Sequence, residues 1–317
     1  MTSITNTVAT RIGSHAHRYL SEASRAGVVI STFHNGLNVL FEKESDSAFV
    51  AIQTTHVPLH PWAIEAEAVG RVRIDHLAVA KSDGIRFSPC DVSFDLSKAW
   101  ICELTIAPLS DNEAKLVQER MPLIEAALQA EQGNRPPDPF QSQIDAILER
   151  WRETDDPAQL GHLLGLGGGS TPSGDDVLVG LLAGLTAFEA VSRKAAEHVS
   201  RLRRALRTDT RQRTTQPSRQ MIDAACDNGF PESVLRLVQT LALTESCRNQ
   251  IESATAKVLA LGALSGAAIV SGLLAASARL DQPLVHDKHL PSATLGCSWI
   301  RRQKPHRQRA NSPSEEL

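Results

Sequence analysis

The sequence predicts an α+β fold, in which a mainly antiparallel β unit is followed by a helical, bundle-like unit. Between about residues 26 and 107, β-branched residues recur with partial period-two alternation, and Gly and Pro often interrupt them. From about residue 140 to 280, apolar residues recur at helical spacing with short connections. A hydrophobic share of 42% in 317 residues is enough to build the core of such a fold.

The first strands are predicted from a hairpin signal. The runs "GVVISTF" and "LNVLFE" flank His34, Asn35 and Gly36, and an Asn-Gly pair closes hairpins because it accepts positive φ. Further strand-like runs follow, namely "AFVAIQTT", "GRVRIDHLAV", "GIRFSPCDVSFDL" and "WICELTIA". We therefore expect an N-terminal segment over residues 1–25 and a β-rich unit that starts at residue 26.

Helices are predicted after Pro108. The segment "DNEAKLVQERMPLIEAALQAEQ" is typical of an amphipathic helix and "GNRPPDP" of a linker, so the β-rich unit with its trailing helix extends to residue 139. The helical unit, residues 140–281, contains "FQSQIDAILERW", "DDPAQLGHLLGL", a helix after Asp176, "AAEHVSRLRRALR", "SRQMIDAACDNG", "PESVLRLVQTLAL" and a helix after Ser265. Residues 282–317 have little periodicity and are expected to form a disordered tail.

Composition excludes several classes of function. A formal net charge of -3 and an aromatic content of 4% argue against a nucleic-acid partner. Five widely spaced cysteines without any CxxC pair indicate neither a disulfide framework nor a zinc knuckle, so a reducing cytoplasm is the expected location.

One stretch has the length of a membrane span. Residues 258–278 are uncharged, but a Gly-Ala-Leu-Ser-Gly interruption and many small residues favour a loop followed by a buried helix. We therefore expect no membrane association.

The segment with the clearest functional signal is "GLGGGSTPSGDDVLVGLLAG", residues 165–184. Its structural interpretation is helix capping, with Ser173 as the cap and Asp176 three residues later. Capping does not account for Gly167, Gly168 and Gly169, whereas close approach of a ligand to the main chain does. The first turn of a helix also attracts anions through its unpaired N–H groups. A ligand site is therefore the favoured interpretation.

A second segment repeats this pattern. "SGDDVLVGLLAG" from Ser173 aligns without a gap with "SGAAIVSGLLAA" from Ser265, which predicts two equivalent loop-to-helix turns. The acids differ, since Ala267 and Ala268 stand where the first copy has Asp175 and Asp176. Two aspartates repel an anionic ligand unless Mg²⁺ bridges them or they face an amide or ammonium donor on the ligand. The sequence leaves both possibilities open.

These residues resemble a known family. "LLGLGGGSTPSGDDVLVGLLAGL" closely resembles the AllH family of oxamate carbamoyltransferase subunits, whose signature is Gly-Leu-Gly-x-Gly-x-Thr-Pro-Ser-Gly-Asp-Asp before an apolar helix. A second family feature, a Thr-x-x-Ser pair before a helix that ends in Ala and Gly-Phe, resembles "TQPSRQMIDAACDNGF". A third, Gly-His-Thr-Ser-Gly-x-Asp, is matched in part, because Ala263, Leu264 and Ala268 replace its His, Thr and Asp.

The resemblance implies carbamoyl transfer between carbamoyl phosphate and oxamate, or the reverse phosphorolysis of oxalurate, in purine and allantoin nitrogen catabolism. It also implies a small anionic substrate and other carbamoyltransferase subunits as partners. Asp175 and Asp176 are the candidate catalytic residues, and they would also be the ligands of a Mg²⁺ ion. The candidate substrate-binding residues are Gly167, Gly168, Gly169, Ser170, Thr171, Ser173, Gly174, Arg213, Thr215, Ser218, Ser265 and Gly266.

Other interpretations stay open at this point. Arg211 and Arg213 suit paired recognition of carboxylate or phosphate, but they also fit a solvated helix face. The lost His, Thr and Asp of the third feature are consistent with a non-catalytic ligand-binding or scaffolding subunit. "GLGGGSTPSGD" also loosely resembles the phosphate loops of small-molecule kinases, although their N-terminal partner motifs are not visible.

Overall fold

The computed structural model describes residues 5–42, 47–133, 136–279 and 300–303, and it confirms the α+β class. Ten strands form one sheet in the order β10-β9-β1-β5-β4-β3-β2-β6-β7-β8, and β8 also pairs with β1. Seven of the ten strand pairings are antiparallel. The strands are β1 (Thr5–Gly13), β2 (Arg25–Phe33), β3 (Gly36–Phe41), β4 (Ala48–Thr54), β5 (Ala63–Ala66), β6 (Leu77–Lys81), β7 (Gly84–Ser88), β8 (Val92–Asp95), β9 (Trp100–Leu104) and β10 (Ile300–Gln303).

The predicted hairpin is confirmed, but the two chain ends contribute strands that the sequence did not indicate. β2 and β3 meet at a two-residue turn, His34 and Asn35, where Phe33 pairs with Gly36. Neither Asn35 nor Gly36 has positive φ, so the hairpin forms without the backbone conformation expected of an Asn-Gly turn. Strand β1 runs through the N-terminal segment, and its polar Thr10 and Arg11 are satisfied by Glu65 of β5. Because those partners lie far away in sequence, alternation alone does not reveal this strand.

The expected disordered tail contains strand β10, which pairs antiparallel with β9. The partner strand, and not the local sequence, supplies the backbone acceptors and donors that fix such an edge strand. Residues 282–299 and 304–317 of that predicted tail lie outside the described residues.

Nine helices accompany the sheet in the described residues. Helix α8 was not predicted from the sequence, and "DDPAQLGHLLGL" forms a 3-10 helix, Pro157–Leu163, in place of an α-helix. The helices are α1 (Ser14–Ser21), α2 (Asp111–Gly133), α3 (Gln141–Thr154), α4 (Ser173–Phe188), α5 (Arg193–Arg213), α6 (Gln216–Cys226), α7 (Glu232–Ala242), α8 (Arg248–Leu259) and α9 (Ser265–Ala278).

The buried apolar residues form two clusters. One lies in the sheet and includes Val39, Phe41 and Phe87. The other lies among the helices and includes Trp151 and Leu181, and α2 contributes Val117 and Ile124 to it among others. Helix α2, which we assigned to the β-rich unit, therefore packs with the helical unit. The boundaries of the units stay predictions.

Residues 258–278 are divided between the end of α8, a short loop and α9. Among the described residues, no helix has the length and apolar character that crossing a membrane requires. The expected loop and buried helix are confirmed at this position.

Candidate active site

The two repeated segments form a pair of parallel helices at the centre of the helical unit. An alanine Cβ at Gly180 of α4 would lie 2.0 Å from the carbonyl oxygen of Ile269 on α9. A Cβ at Gly272, the residue equivalent to Gly180, would lie 2.1 Å from the carbonyl oxygen of Val177, which is equivalent to Ile269. These reciprocal contacts define a local two-fold axis between the helices. The predicted structural repeat is therefore present, with glycines at the positions of closest approach.

The same symmetry brings the two helix N-termini together. Gly174 and Gly266 each lie against the backbone that precedes their helix, at Leu163 and Val258 respectively. The hydroxyls of Thr171 and Ser265 are 3.0 Å apart, so the turn before α4 touches the first residue of α9. Since the peptide dipoles of both helices point the same way, their partial positive charges meet at one place.

The glycine loop before α4 divides into a packed part and an open part. Gly165 has a φ of 75°, and a Cβ on it would lie 2.0 Å from the carbonyl oxygen of Arg213; Gly167 has a φ of 130° and lies close to the Ser173 nitrogen. Gly168 and Gly169 are exposed, and a Cβ on either would meet nothing within 4 Å. Only these last two glycines leave room for a ligand beside the main chain.

The backbone N–H groups of residues 167–171 donate to no acceptor in the described part of the chain. Unpaired main-chain N–H groups in a glycine-rich turn before a helix are donors that an anion can use. The loop thus has the features of an anion cradle.

Asp175 is fully engaged within the protein. Its Oδ1 accepts from the Gly165 nitrogen at 2.7 Å, and its Oδ2 accepts from the hydroxyls of Thr214 and of Ser218, the latter at 2.7 Å. Burial raises the pKa of Asp175, while these three hydrogen bonds and the positive charge of Arg213 act in the opposite direction. This carboxyl therefore ties the start of the loop to the junction between α5 and α6.

Asp176 has a different environment. The residue is 8% exposed, and its Oδ2 is buried without a hydrogen-bond partner. Burial raises the pKa of Asp176 to about 7, and the negative charge of Asp175 adds to this rise, whereas hydrogen bonds from Ser265 and Thr171 lower the pKa. This buried carboxyl oxygen beside the glycine loop is therefore available to accept a hydrogen bond from a donor outside the protein.

Helix capping does not explain the acids, so that structural interpretation was wrong. The N-cap residue of α4 is Pro172, and no side chain caps the helix. The nitrogens of Asp175 and Asp176 both donate to the Pro172 carbonyl oxygen. Ser173 is the first helical residue and is buried, so its hydroxyl does not take the role of cap.

The Thr-x-x-Ser feature supports the loop from one side. Thr215 is the N-cap of α6, and its hydroxyl donates to the Ser170 carbonyl oxygen at 2.5 Å. Ser218 holds Asp175, as described above. Arg213 is exposed and meets Gly165 through its own backbone, and the side chain of Arg211 lies outside the described residues.

The structure thus brings together most of the predicted site residues, and it adds two. Gly165 and Thr214 both bind Asp175, although neither was singled out. Thr214 directly precedes the Thr-x-x-Ser feature, and this adjacency is the signal that could have identified it. Gly266 lies at the base of the second turn, where the absence of a side chain permits close packing against the backbone of Val258 and Leu259.

The described residues include no group of three or more His, Cys, Asp or Glu side chains that could hold a metal ion. Both oxygens of Asp175 already accept hydrogen bonds from N–H or O–H donors. Of the two arrangements left open by the sequence, the geometry favours Asp176 facing an N–H donor over a Mg²⁺ ion bridging both acids.

The fold and the site define an α+β protein with a glycine-rich turn built on an internal repeat. Residues 163–277 match the family described as oxamate carbamoyltransferase subunit AllH. This match confirms the resemblance and covers both repeats and the Thr-x-x-Ser feature, while the sheet lies outside it. Neither the curated proteins nor the solved structures contain a match to the chain.

Proposed function

We propose that the protein is a carbamoyltransferase subunit that transfers a carbamoyl group between carbamoyl phosphate and oxamate, or runs the reverse phosphorolysis of oxalurate. The observation that carries the proposal is the unpartnered, buried Oδ2 of Asp176 beside a loop with unpaired N–H groups. The similarity of residues 163–277 to the oxamate carbamoyltransferase subunit family supports the same reaction.

In the proposed reaction, the oxamate amide nitrogen attacks the carbamoyl carbon. A C–N bond forms, the C–O bond to phosphate breaks, and the amide nitrogen loses one proton while the leaving phosphate gains one. The reaction needs fixed donors for the phosphate and for the oxyanion that develops on the carbamoyl group. The N–H groups of residues 167–171 and the Thr171 hydroxyl are suited to this task.

Asp176 is the proposed catalytic residue. A carboxyl with a pKa of about 7 can accept an N–H hydrogen bond from the amide and take its proton as the C–N bond forms. Asp175 is instead a positioning residue, because it is buried and three hydrogen bonds tie its carboxyl to the glycine loop and to the α5–α6 junction.

We further propose a cytoplasmic complex with other carbamoyltransferase subunits. The family description names a subunit, and this supports partners that complete the reaction. A non-catalytic, ligand-binding subunit is the second candidate, and the observation in its favour is Ala268, which replaces the acid of the second turn.

The test is to purify the chain alone and together with the proteins that co-purify with it, and to follow carbamoyl phosphate consumption with and without oxamate. We expect oxamate-dependent release of phosphate by the complex, and no consumption of ATP in a parallel assay. If no mixture transfers the carbamoyl group while oxamate still binds, the non-catalytic role is correct. If oxamate and carbamoyl phosphate neither react nor bind, the proposal is wrong.

A further inference from the structure

The turns that begin α4 at Ser173 and α9 at Ser265 have equivalent backbone positions but differ in side-chain charge. The local two-fold axis relates Asp176 of α4 to Ala268 of α9, and these residues are 8% and 9% exposed. Each therefore stands at the same depth beside its own helix N-terminus. One turn presents a carboxyl and the other presents only a methyl group.

A pair of hydroxyls crosses the axis. The hydroxyl of Ser265, the first residue of the other helix, is 3.0 Å from the hydroxyl of Thr171 in the turn before α4, and both hydroxyls act to lower the pKa of Asp176. The two turns therefore form one site, with a single acid on one side. The unpartnered Oδ2 of Asp176 lies within this site.

We infer that this asymmetry fixes the orientation of the ligand. The ligand places an N–H donor against Asp176 and its anionic group on the side of Ala268, where no carboxylate repels it. The ligand class is a small molecule in which an amide and a carboxylate are adjacent, and Ala268 is a specificity-determining position. The inference rests on the proposed function for the ligand class and for the choice of oxamate as probe.

A pair of nearly isosteric ligands tests this directly. Oxamate carries one amide and one carboxylate, whereas oxalate carries two carboxylates and has no N–H donor. Calorimetric titration of the purified full chain is expected to give a Kd for oxamate at least about tenfold lower than for oxalate, because oxalate leaves Asp176 facing a like charge. The D176N variant should lose this preference, since its amide supplies an N–H donor to oxalate.

Ala268 supplies the matched pair of variants. A268D adds a second acid, which should raise the Kd for oxamate by at least about tenfold. A268N adds nearly the same volume as A268D but no charge. We expect its Kd for oxamate to be lower than that of A268D, because charge decides affinity. A Kd within about threefold of the A268D value would show that volume decides affinity instead. Thermal unfolding of each variant without ligand establishes that it is folded.

Four outcomes overturn the inference: oxamate binds no tighter than oxalate, D176N keeps the preference, A268D binds oxamate as the wild type does, or A268N weakens binding as much as A268D. Absence of binding to the chain alone also overturns it, because all of the residues invoked belong to this chain. If the preference holds but no complex transfers a carbamoyl group, the inference stands and the proposed function fails. If a complex transfers the carbamoyl group but the chain shows no preference for oxamate over oxalate, the proposed function stands and the inference fails.

Discussion

Asp175 and Asp176 are adjacent in sequence, but the fold gives them different tasks. Asp175 accepts three hydrogen bonds from the loop and from the α5–α6 junction, whereas Asp176 keeps a buried oxygen without a partner. Successive residues at the start of a helix point about 100° apart, so one faces its own loop while the next faces the neighbouring helix. A pair of acids in a motif therefore need not act as a pair.

The first prediction concerns the stability contributed by Asp175. The D175A variant leaves the Gly165 nitrogen and two hydroxyls without their acceptor, which should lower the free energy of unfolding by about 3 kcal/mol. Urea denaturation measures this change. D176N is the matched control when both variants are compared at about pH 4, where folded Asp176 is protonated and its raised pKa contributes little to the difference. Equal stability of D175A and the wild type would contradict the positioning role.

A second prediction concerns the pH dependence of stability. The pKa of Asp176 is about 7 in the folded chain and about 3.8 as an ordinary value, so between these pH values the folded form holds a proton that the unfolded form releases. The contribution of Asp176 to the stability of the wild type should therefore fall as pH rises from about 4 to about 7 and level off above. In D176N this contribution is absent.

The stability of D176N relative to the wild type should accordingly increase across that window, by on the order of 4 kcal/mol in total. Because Asp175 is present in both proteins, its own titration largely cancels in the difference. Urea denaturation at a series of pH values supplies the measurement, and a difference that stays flat from pH 4 to pH 8 would rule out a raised pKa.

Much of the site could be predicted at the residue scale. Gly168, Gly169, Asp176 and Thr171 were recognised because glycine freedom and local acids are visible in a short stretch. The separate roles of the two aspartates were not predictable, because Thr214 and Ser218 reach Asp175 from about forty residues further along the chain. Such contacts depend on how α5 and α6 pack.

At the scale of elements, the parallel pair α4 and α9 holds the two turns in register. The helices approach so closely because Gly180 and Gly272 have no side chains where each meets the backbone of the other. Gly184 similarly lies against Ala276, its own equivalent in the second repeat. The spacing of glycines along the helices therefore determines the distance between Asp176 and Ser265.

This pairing leads to a third prediction. G180A and G272A should each lower the free energy of unfolding by about 1 to 3 kcal/mol, because the new methyl group would overlap a main-chain oxygen. G133A at the end of α2 is the control, since a Cβ there meets nothing within 4 Å. Thermal or urea unfolding compares the three variants. If G180A is as stable as G133A, the helices are not held at this distance by glycine.

Elements with strong periodicity or clear turn chemistry were predictable, and elements fixed by distant partners were not. The β2–β3 hairpin was predicted from two β-branched runs on either side of a turn, and α9 was predicted from the apolar run after Ser265. Strand β1 and strand β10 do not, because pairing with β5, β8 and β9 determines them. Helix α8 was missed since its segment mixes polar residues with few large apolar ones.

At the scale of the whole molecule, polar contacts join the sheet to the helices below the site. Gln220 of α6 bonds both backbone groups of Phe49, and its own carbonyl oxygen accepts from the Trp62 indole. Asn228 bonds both backbone groups of Ile106. These contacts hold the middle of α6 and the turn after its C-terminal end, and Ser218 of this helix binds Asp175.

A buried charge network adds to this interface and carries the fourth prediction. Arg11 of β1 binds Glu65 of β5 and both oxygens of Glu232 at the start of α7. R11M leaves two buried carboxylates without their common partner, and the free energy of unfolding should fall by about 3 to 5 kcal/mol. R236M is the control, because Arg236 binds Glu232 from a half-exposed position and should contribute less than about 1 kcal/mol.

The pH dependence of this network supplies an independent check. Burial is the largest influence on Glu65 and Glu232 and acts to raise the pKa of each. Hydrogen bonds from Arg11 and Thr10 to Glu65, hydrogen bonds from Arg11 and Arg236 to Glu232, and the positive charge of Arg11 together outweigh burial, so the pKa of each is lowered. Their stabilising contribution should be present above their ordinary pKa of 4.5 and be lost as pH falls below it. Urea unfolding at acid pH should therefore bring R11M and the wild type closer together. A constant difference would contradict the account.

The central claim, that Asp176 contacts the reacting substrate, is tested most directly by the carbamoyl transfer activity of the D176A variant in the reconstituted complex. We expect activity to fall by about 100-fold or more, while the melting temperature stays equal to that of the wild type or rises. Full activity of D176A, or a loss of activity accompanied by unfolding, would contradict the claim.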